Sequence, residues 1–111
     1  MQSTLAHSQT TVLQPSGHIN IDNVATLKQH LTDTVSSKEY SSLLVDMSQV
    51  ESLDSHGLMA LVSTLSLAQR MNKRFGLFGI SPSVRIIFEL TQLDRVFEIA
   101  EHHPELGVAA A

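Results

Sequence analysis

The stretch VESLDSHGLMAL, residues 50–61, joins an apolar segment to apolar residues that recur at helical spacing. Between these two patterns stand Asp54, Ser55, His56 and Gly57 in direct succession. Asp or Ser before a helix typically caps its first turn, and glycine permits close packing of the backbone. A plain strand-to-helix turn therefore competes with three functional interpretations: a catalytic constellation, a metal site, and a helix start that serves as a switch.

Outward from this turn, the spacing of apolar residues predicts three helices. Their apolar positions are Val24, Leu27, Leu31 and Val35 in the first; Leu58, Leu61, Val62, Leu65 and Ala68 in the second; and Val84, Ile87 and Phe88 in the third. Asp22 or Asn23 can cap the first helix. Ser81 followed by Pro82 is a strong start signal for the third.

Short apolar runs between these helices predict strands at residues 41–48, 74–80 and 95–100. The segment TTVLQPSGHINI, residues 10–21, contains β-like pieces broken by a Pro-Ser-Gly sequence at residues 15–17, which predicts a hairpin-like start. Strands that alternate with helices indicate crossover connections and an α/β fold.

The predicted architecture is a single α/β domain over residues 1–111, with its core at about residues 10–100 and a short helix or tail at 101–111. We expect a central sheet of mixed direction with four or five strands, and amphipathic helices packed mainly on one face. The side chains predicted to lie in the core are Leu44, Val45, Leu61, Leu65, Phe78 and Ile87.

Composition bounds the class of protein. The chain has 111 residues, 42% of them hydrophobic, which suits one domain with a packed core. It contains no Cys, which excludes disulfides, thiolate metal sites and cysteine nucleophiles. Its formal net charge is −4 and it has no basic patch, so we expect neither nucleic acid nor a membrane as partner. The N-terminus lacks the apolar region of a signal peptide, and no apolar run approaches the roughly 18 residues of a membrane span. These features predict a cytoplasmic protein.

The spacing of polar residues gives little support to catalysis or metal binding. Adjacent Ser55 and His56 point about 100° apart at a helix start, so they do not form a nucleophile–base pair. The six His include no i, i+4 pair and no H-E-x-x-H motif, and the five Gly form no phosphate-binding loop. We therefore expect no catalytic residues, no metal and no cofactor, and a protein that is not an enzyme.

A resemblance to a known family adds to this interpretation. LLVDMSQVESLDSHGLMALV, residues 43–62, resembles the signature segment of STAS domains, specifically of the bacterial anti-sigma factor antagonists, or anti-anti-sigma factors. That signature is a buried strand ending in Asp, a short connection, and Asp-Ser-Ser/Thr-Gly-Leu before an amphipathic helix. The residues that match it in order are Asp46, Val50, Asp54, Ser55, Gly57 and Leu58. Residues 16–31 resemble the family's first turn and helix, with Asn20 where an acidic residue is usual, and residues 74–99 resemble the remainder.

The resemblance implies a STAS-like fold and a partner-switching function. The domain would bind a serine-kinase anti-sigma factor or a related switch kinase, be released when that kinase phosphorylates it, and be restored by a serine phosphatase. In the family the phosphorylated residue stands just before the signature Gly, and here that residue is His56. Either the neighbouring Ser55 receives the phosphate, or the domain is a non-phosphorylated structural STAS subunit of a larger complex, such as a lipid-transport ATPase or a signalling scaffold.

The partner-binding surface implied by the resemblance centres on the turn at residues 54–58 and the exposed face of the helix after it, with the loop at residues 17–23 nearby. Its residues are Asn20, Asp22, Asp54, Ser55, His56, Gly57 and Leu58. We expect Gly57 to allow close approach of the partner. A phosphate at Ser55 would lie at a helix N-terminus, where free backbone N–H groups and the helix dipole are expected to tolerate its charge.

Overall fold

Six strands and three α-helices follow one another within residues 9–101, the part of the chain that the computed structural model describes. The strands are β1 (Thr10–Leu13), β2 (Ser16–Ile19), β3 (Ser42–Asp46), β4 (Gln49–Leu53), β5 (Arg74–Phe78) and β6 (Glu98–Ala100). The helices are α1 (Val24–Ser36), α2 (Ser55–Arg70) and α3 (Pro82–Leu90), with a short 3-10 turn at Leu93–Arg95. The three predicted helices are therefore present.

The N-terminal strands run in the same direction and do not form a hairpin. β1 pairs in parallel with β3, and β2 pairs in parallel with β4. Pro15, between β1 and β2, has no N–H to donate, so it interrupts the pairing without reversing the chain. At this break the Gln14 side-chain amide donates to the Asp46 carboxylate at 2.9 Å. The predicted hairpin-like start is wrong, because a proline break was interpreted as a turn.

The central sheet has four strands in the order β1-β3-β5-β6, and β2 and β4 form a separate two-stranded sheet. Every strand pair within residues 9–101 is parallel. Each connection between neighbouring strands of the central sheet contains one helix, as parallel pairing requires. The predicted α/β class is confirmed, while the direction of the sheet is parallel and not mixed.

β4 is a strand that the sequence analysis did not predict, since it assigned these residues to a connection. Its five residues do not alternate strictly between buried and exposed, because Val50 and Leu53 are buried while Glu51 and Ser52 between them are exposed. A register shift between Gly17 and the next residue of β2 accompanies this irregular pattern. The missing alternation explains why a strand was not recognised.

The core contains five of the six side chains predicted for it. Leu44, Val45, Leu61, Leu65 and Phe78 are buried, and Ile87 is half-buried and packs against the core cluster. α2 packs against α1 on one side and against β4 and β5 on another. Its buried Thr64 hydroxyl donates to the Ala60 carbonyl at 2.8 Å, so a polar group lies in the core with its hydrogen bond satisfied.

None of the helices in residues 9–101 combines the length and the apolar character needed to cross a membrane. The predicted short helix or tail at 101–111 lies, apart from Glu101, outside the described residues.

Candidate functional site

The first turn of α2 is held by Asp54, which is the N-cap residue. Its Oδ1 accepts hydrogen bonds from the backbone N–H groups of His56 at 2.9 Å and Gly57 at 3.0 Å. The hydrogen bond from the Gly57 N–H is the main reason that the pKa of Asp54 lies below its usual value. Of the two residues predicted as candidate caps, Asp54 and Ser55, the structure selects Asp54.

Ser55 and His56 are exposed on the first turn of the helix. Among residues 9–101, none forms a hydrogen bond with the Ser55 hydroxyl. The His56 side chain is about half exposed, and its Nδ1 lies 3.6 Å from the Asp54 Oδ2. The hydroxyl is therefore accessible to another molecule, and the helix start does not depend on it.

Gly57 and Leu58 face the interior, in contrast to the three residues before them. A Cβ atom at position 57 would lie 2.5 Å from Leu53 Cδ1 and 2.8 Å from Ile19 Cγ2. Glycine is needed here for packing within the domain, and the expected reason, close approach of a partner, does not fit this burial. Leu58 belongs to the core, being only 7% exposed, so its side chain is out of reach of a partner.

The loop between β2 and α1 is held by two asparagines. The Asn20 side chain accepts from the Asp22 N–H at 2.9 Å, and the Asn23 side chain accepts from the Asn20 N–H at 3.0 Å. The Asn23 amide also donates to the His18 carbonyl at 2.7 Å. Although Asn23 occupies the N-cap position of α1, its side chain makes no cap hydrogen bond, so the predicted capping by Asp22 or Asn23 is corrected to a role inside the loop.

Ile19 brings this loop next to the turn at the start of α2. Its carbonyl accepts from the Asp54 N–H at 3.0 Å, and its side chain packs at the position of Gly57. Asn20 and Asp22 follow Ile19 in the sequence by one and three residues, and Ile19 is hydrogen-bonded to the α2 turn. The two predicted segments of the partner surface are close in space, with Asp22 exposed and Asn20 half-buried.

A groove of about 400 Å³ runs between α1 and the first three turns of α2. It is lined by Val24, Lys28, Ser55, His56, Met59, Ala60 and Ser63. Of these, Met59 is an exposed large apolar side chain, 55% accessible, one turn after Ser55. The groove thus combines an accessible hydroxyl, a cation and an apolar surface on adjacent helix turns.

A comparison with known protein families shows to which family this chain belongs. The family model of the STAS domain matches residues 2–106. The chain belongs to the STAS domain family. The prediction made from residues 43–62 is therefore confirmed at the level of the family.

Relatives of this STAS domain are named as anti-sigma factor antagonists. A homolog of this name from Thermotoga neapolitana is 31% identical over 88 residues, which are 79% of this chain and 78% of that protein. A crystal structure from Thermotoga maritima superposes with a TM-score of 0.80 at 28% identity, covering 90% of this chain and 86% of that one. A crystal structure from Mycobacterium paratuberculosis superposes with a TM-score of 0.80 at 28% identity, covering 93% of this chain and 86% of that one. Its relatives are thus named for the antagonism of anti-sigma factors.

A serine–histidine pair elsewhere on the STAS domain does not coincide with the candidate site. The His18 Nδ1 lies 2.7 Å from the Ser52 Oγ, and its Nε2 lies 3.6 Å from the Glu51 Oε1. This group lies on the exposed surface of the paired strands β2 and β4 and links them. Within residues 9–101 no three His, Cys, Asp or Glu side chains are grouped to hold a metal ion.

Sequence reasoning predicted the exposed face of α2 but did not name Met59 on it, and it missed Lys28 of α1. Lys28 follows Val24 by one turn on α1, and Met59 follows Ser55 by one turn on α2. The i, i+4 spacing places each pair on one face of its own helix. That signal was present in the sequence, but nothing in a single sequence states which faces of two helices meet.

Proposed function

We propose that this STAS domain is a phospho-switched anti-sigma factor antagonist. It binds a serine-kinase anti-sigma factor, or a related switch kinase, in the cytoplasm, and phosphorylation of Ser55 releases that partner. The observation that carries the proposal is the start of α2, where Asp54 alone caps the helix and leaves the Ser55 hydroxyl exposed. The names of the relatives support the partner class.

The contact surface proposed for the partner is the exposed part of the two neighbouring segments. It comprises the backbone and side chains at Asn20, Asp22, Asp54, Ser55 and His56. The exposed apolar side chains of Ile21, 63% accessible, and Met59 lie in or next to these segments and supply area that a partner can bury. Gly57 and Leu58 contribute by shaping the turn from inside and not by direct contact.

Phosphorylation at this position changes the charge without opening the fold. The γ-phosphoryl group of ATP moves to the Ser55 Oγ, the hydroxyl proton is released, and ADP leaves. The product carries roughly −1.5 to −2 charges at neutral pH. Because Asp54 already accepts from the His56 and Gly57 N–H groups, those donors are not free to receive the phosphate as the sequence analysis expected. A partner packed on the turn then meets a dianion beside a carboxylate, and a loss of ~3 kcal/mol of binding weakens association more than a hundredfold.

The experiment that tests this proposal begins with a pull-down from the native host, followed by mass spectrometry of the captured kinase. That kinase and ATP should add one phosphate, and the modified peptide should map to Ser55. Ser55→Ala should abolish incorporation and retain partner binding, while Ser63→Ala, which removes a hydroxyl elsewhere in the groove, should leave incorporation unchanged. Phosphate on Ser48 or Ser52 instead would show that the acceptor assignment is wrong. A serine phosphatase should restore binding of the phosphorylated protein.

A second candidate function is a structural STAS subunit that binds its partner without phosphorylation, in a lipid-transport ATPase complex or a signalling scaffold. The observation that favours it is His56, which stands where the resemblance places the acceptor hydroxyl. A captured complex that contains no kinase, together with no phosphate on the domain, would support this alternative.

A further inference from the structure

The groove between α1 and α2 places a lysine opposite the candidate phosphorylation site. Lys28 lies on the second turn of α1, and Ser55 is the first residue of α2. Both side chains line the same space of about 400 Å³, which is open to solvent and larger than a phosphoryl group. A lysine side chain is a flexible stem with a compact charge and three donors, so it can adapt to a group added at Ser55.

Lys28 has no charged partner of its own within the described part of the chain. It is exposed, and no residue between 9 and 101 forms a hydrogen bond or an ion pair with its ammonium group. This sets it apart from Lys73, whose ammonium group donates to the Val35 carbonyl at 2.7 Å and also to the Ser37 carbonyl. The ammonium group of Lys28 can therefore bind a new anion without giving up an existing bond.

The charges around Ser55 favour such a cation in a phosphorylated form. Lys28 from α1 and His56 from α2 line the groove together with Ser55, and the Asp54 carboxylate lies beside the His56 ring, 3.6 Å from its Nδ1. Asp54 repels a phosphate, and its carboxylate already accepts from the backbone N–H groups of His56 and Gly57. Within residues 9–101, Lys28 contributes the one lysine side chain that lines the groove, and the chain as a whole has a net charge of −4.

We propose that Lys28 binds the phosphoryl group of phosphorylated Ser55, so that the modified side chain lies along the groove between α1 and α2. This inference rests on the proposed function in taking Ser55 as the acceptor. The phosphoserine then fills the space beside Met59 and links the two helices. Because the phosphoserine occupies the groove, it excludes a partner from the groove by volume as well as by charge. The contact with Lys28 also makes the modified domain more stable than it would be if the phosphate had no cationic partner.

The test is a double-mutant cycle that needs no kinase. Phosphoserine is incorporated at position 55 during translation, and Lys28→Gln is made in both the unmodified and the phosphoserine protein. The effect of Lys28→Gln on Tm should be more negative by about 2 °C or more in the phosphoserine protein than in the unmodified one. A ³¹P NMR titration should place the second pKa of the phosphoserine lower with Lys28 present than in the Lys28→Gln protein, because a nearby cation favours the dianion.

Two further variants separate a specific contact from a general charge effect. Lys38→Gln removes the same charge from an exposed residue that does not line the groove, and it should leave both readouts unchanged. Lys28→Arg should retain the lower phosphate pKa. Equal effects of Lys28→Gln in both proteins, or equal effects of Lys28→Gln and Lys38→Gln, would overturn the contact. Since no partner or kinase enters the measurement, this outcome is independent of whether the proposed function is correct.

Discussion

The helices α2 and α3 begin in two different ways, and the difference separates a serine whose hydroxyl is exposed and unbonded among residues 9–101 from a serine that caps its helix. α3 is capped by Ser81, whose hydroxyl accepts from the Val84 N–H at 3.4 Å, and Pro82 follows at the first helical position. α2 is capped by Asp54, and Ser55 follows at the first helical position with its side chain exposed. A serine thus stands at the start of each helix, but in α3 the hydroxyl is part of the cap.

The comparison shows how a serine proposed as a phosphorylation site can stand at the start of a helix without destabilising that helix when it is modified. Modification of a capping hydroxyl removes the acceptor on which the first turn depends. With a carboxylate as cap, the first turn of α2 keeps its acceptor whatever happens at Ser55. The third helical position differs as well, since it is Gly57 in α2 and the buried Val84 in α3. Four predictions test this contrast.

The largest expected effect concerns that third helical position. Gly57→Val places side-chain atoms where Leu53 and Ile19 already pack, and we expect it to lower the free energy of unfolding by about 2–3 kcal/mol. Urea denaturation measures the loss. Ser66→Val, at an exposed position of the same helix α2, is the matched control and should change stability by less than about 0.5 kcal/mol. Equal losses would contradict the internal role of Gly57.

The next effect compares the two caps. Ser81→Ala should cost about 1 kcal/mol, a typical value for the loss of a serine cap. Asp54→Ala should cost more, because the carboxylate accepts two backbone hydrogen bonds at 2.9 and 3.0 Å, whereas Ser81 accepts one at 3.4 Å. Thermal unfolding of the two variants ranks them directly. The reverse order would show that the charged cap does not dominate the α2 turn.

A third prediction uses pH to isolate the charge of the Asp54 cap. Its pKa in the folded protein lies below the ordinary 3.8, chiefly because the Gly57 N–H donates to it. The resulting stability is fully present above the unfolded-state pKa and is lost as pH falls through the lower folded-state pKa. The stability difference between wild type and Asp54→Asn should therefore be constant above about pH 5 and shrink below 3.8. Glu98, whose pKa is lowered by its hydrogen bonds from Arg74, is present in both proteins, so its contribution to the stability difference cancels. A difference that does not change with pH would mean that the carboxylate charge contributes nothing.

The contrast between the two helix starts also shows what the sequence could predict. The Ser81–Pro82 start was predicted correctly, because its signal lies in two adjacent residues and needs no tertiary contact. The role of Gly57 was not predicted correctly, because it depends on packing against Ile19, which stands 38 positions earlier in the chain. Lys28 was missed for a similar reason, since its proximity to Ser55 arises only when α1 packs on α2.

The fold, like the candidate site, was predicted from the sequence only in part. Helical periodicity is strong enough to identify α1, α2 and α3 from sequence alone. The direction of the first strands was wrong because a proline can end strand pairing with or without a reversal of the chain, and local sequence does not distinguish the two. β4 was missed because its buried residues, Val50 and Leu53, are three apart and not two.

The smallest expected effect is that of Ser55→Ala, and the comparison between the starts of α2 and α3 depends on it. Ser55→Ala should change the free energy of unfolding by less than about 0.5 kcal/mol, because the hydroxyl is not the cap and alanine is the better helix former. Ser81→Ala, the same chemical change at the start of α3, should cost about 1 kcal/mol. Urea denaturation of both variants under one condition gives the two values. If Ser55→Ala proved as destabilising as Ser81→Ala, the Ser55 hydroxyl would have a structural partner, and its phosphorylation would disrupt the start of α2. If Ser55→Ala is neutral, selection for stability does not explain a serine at this position, and its exposed hydroxyl remains available to a kinase.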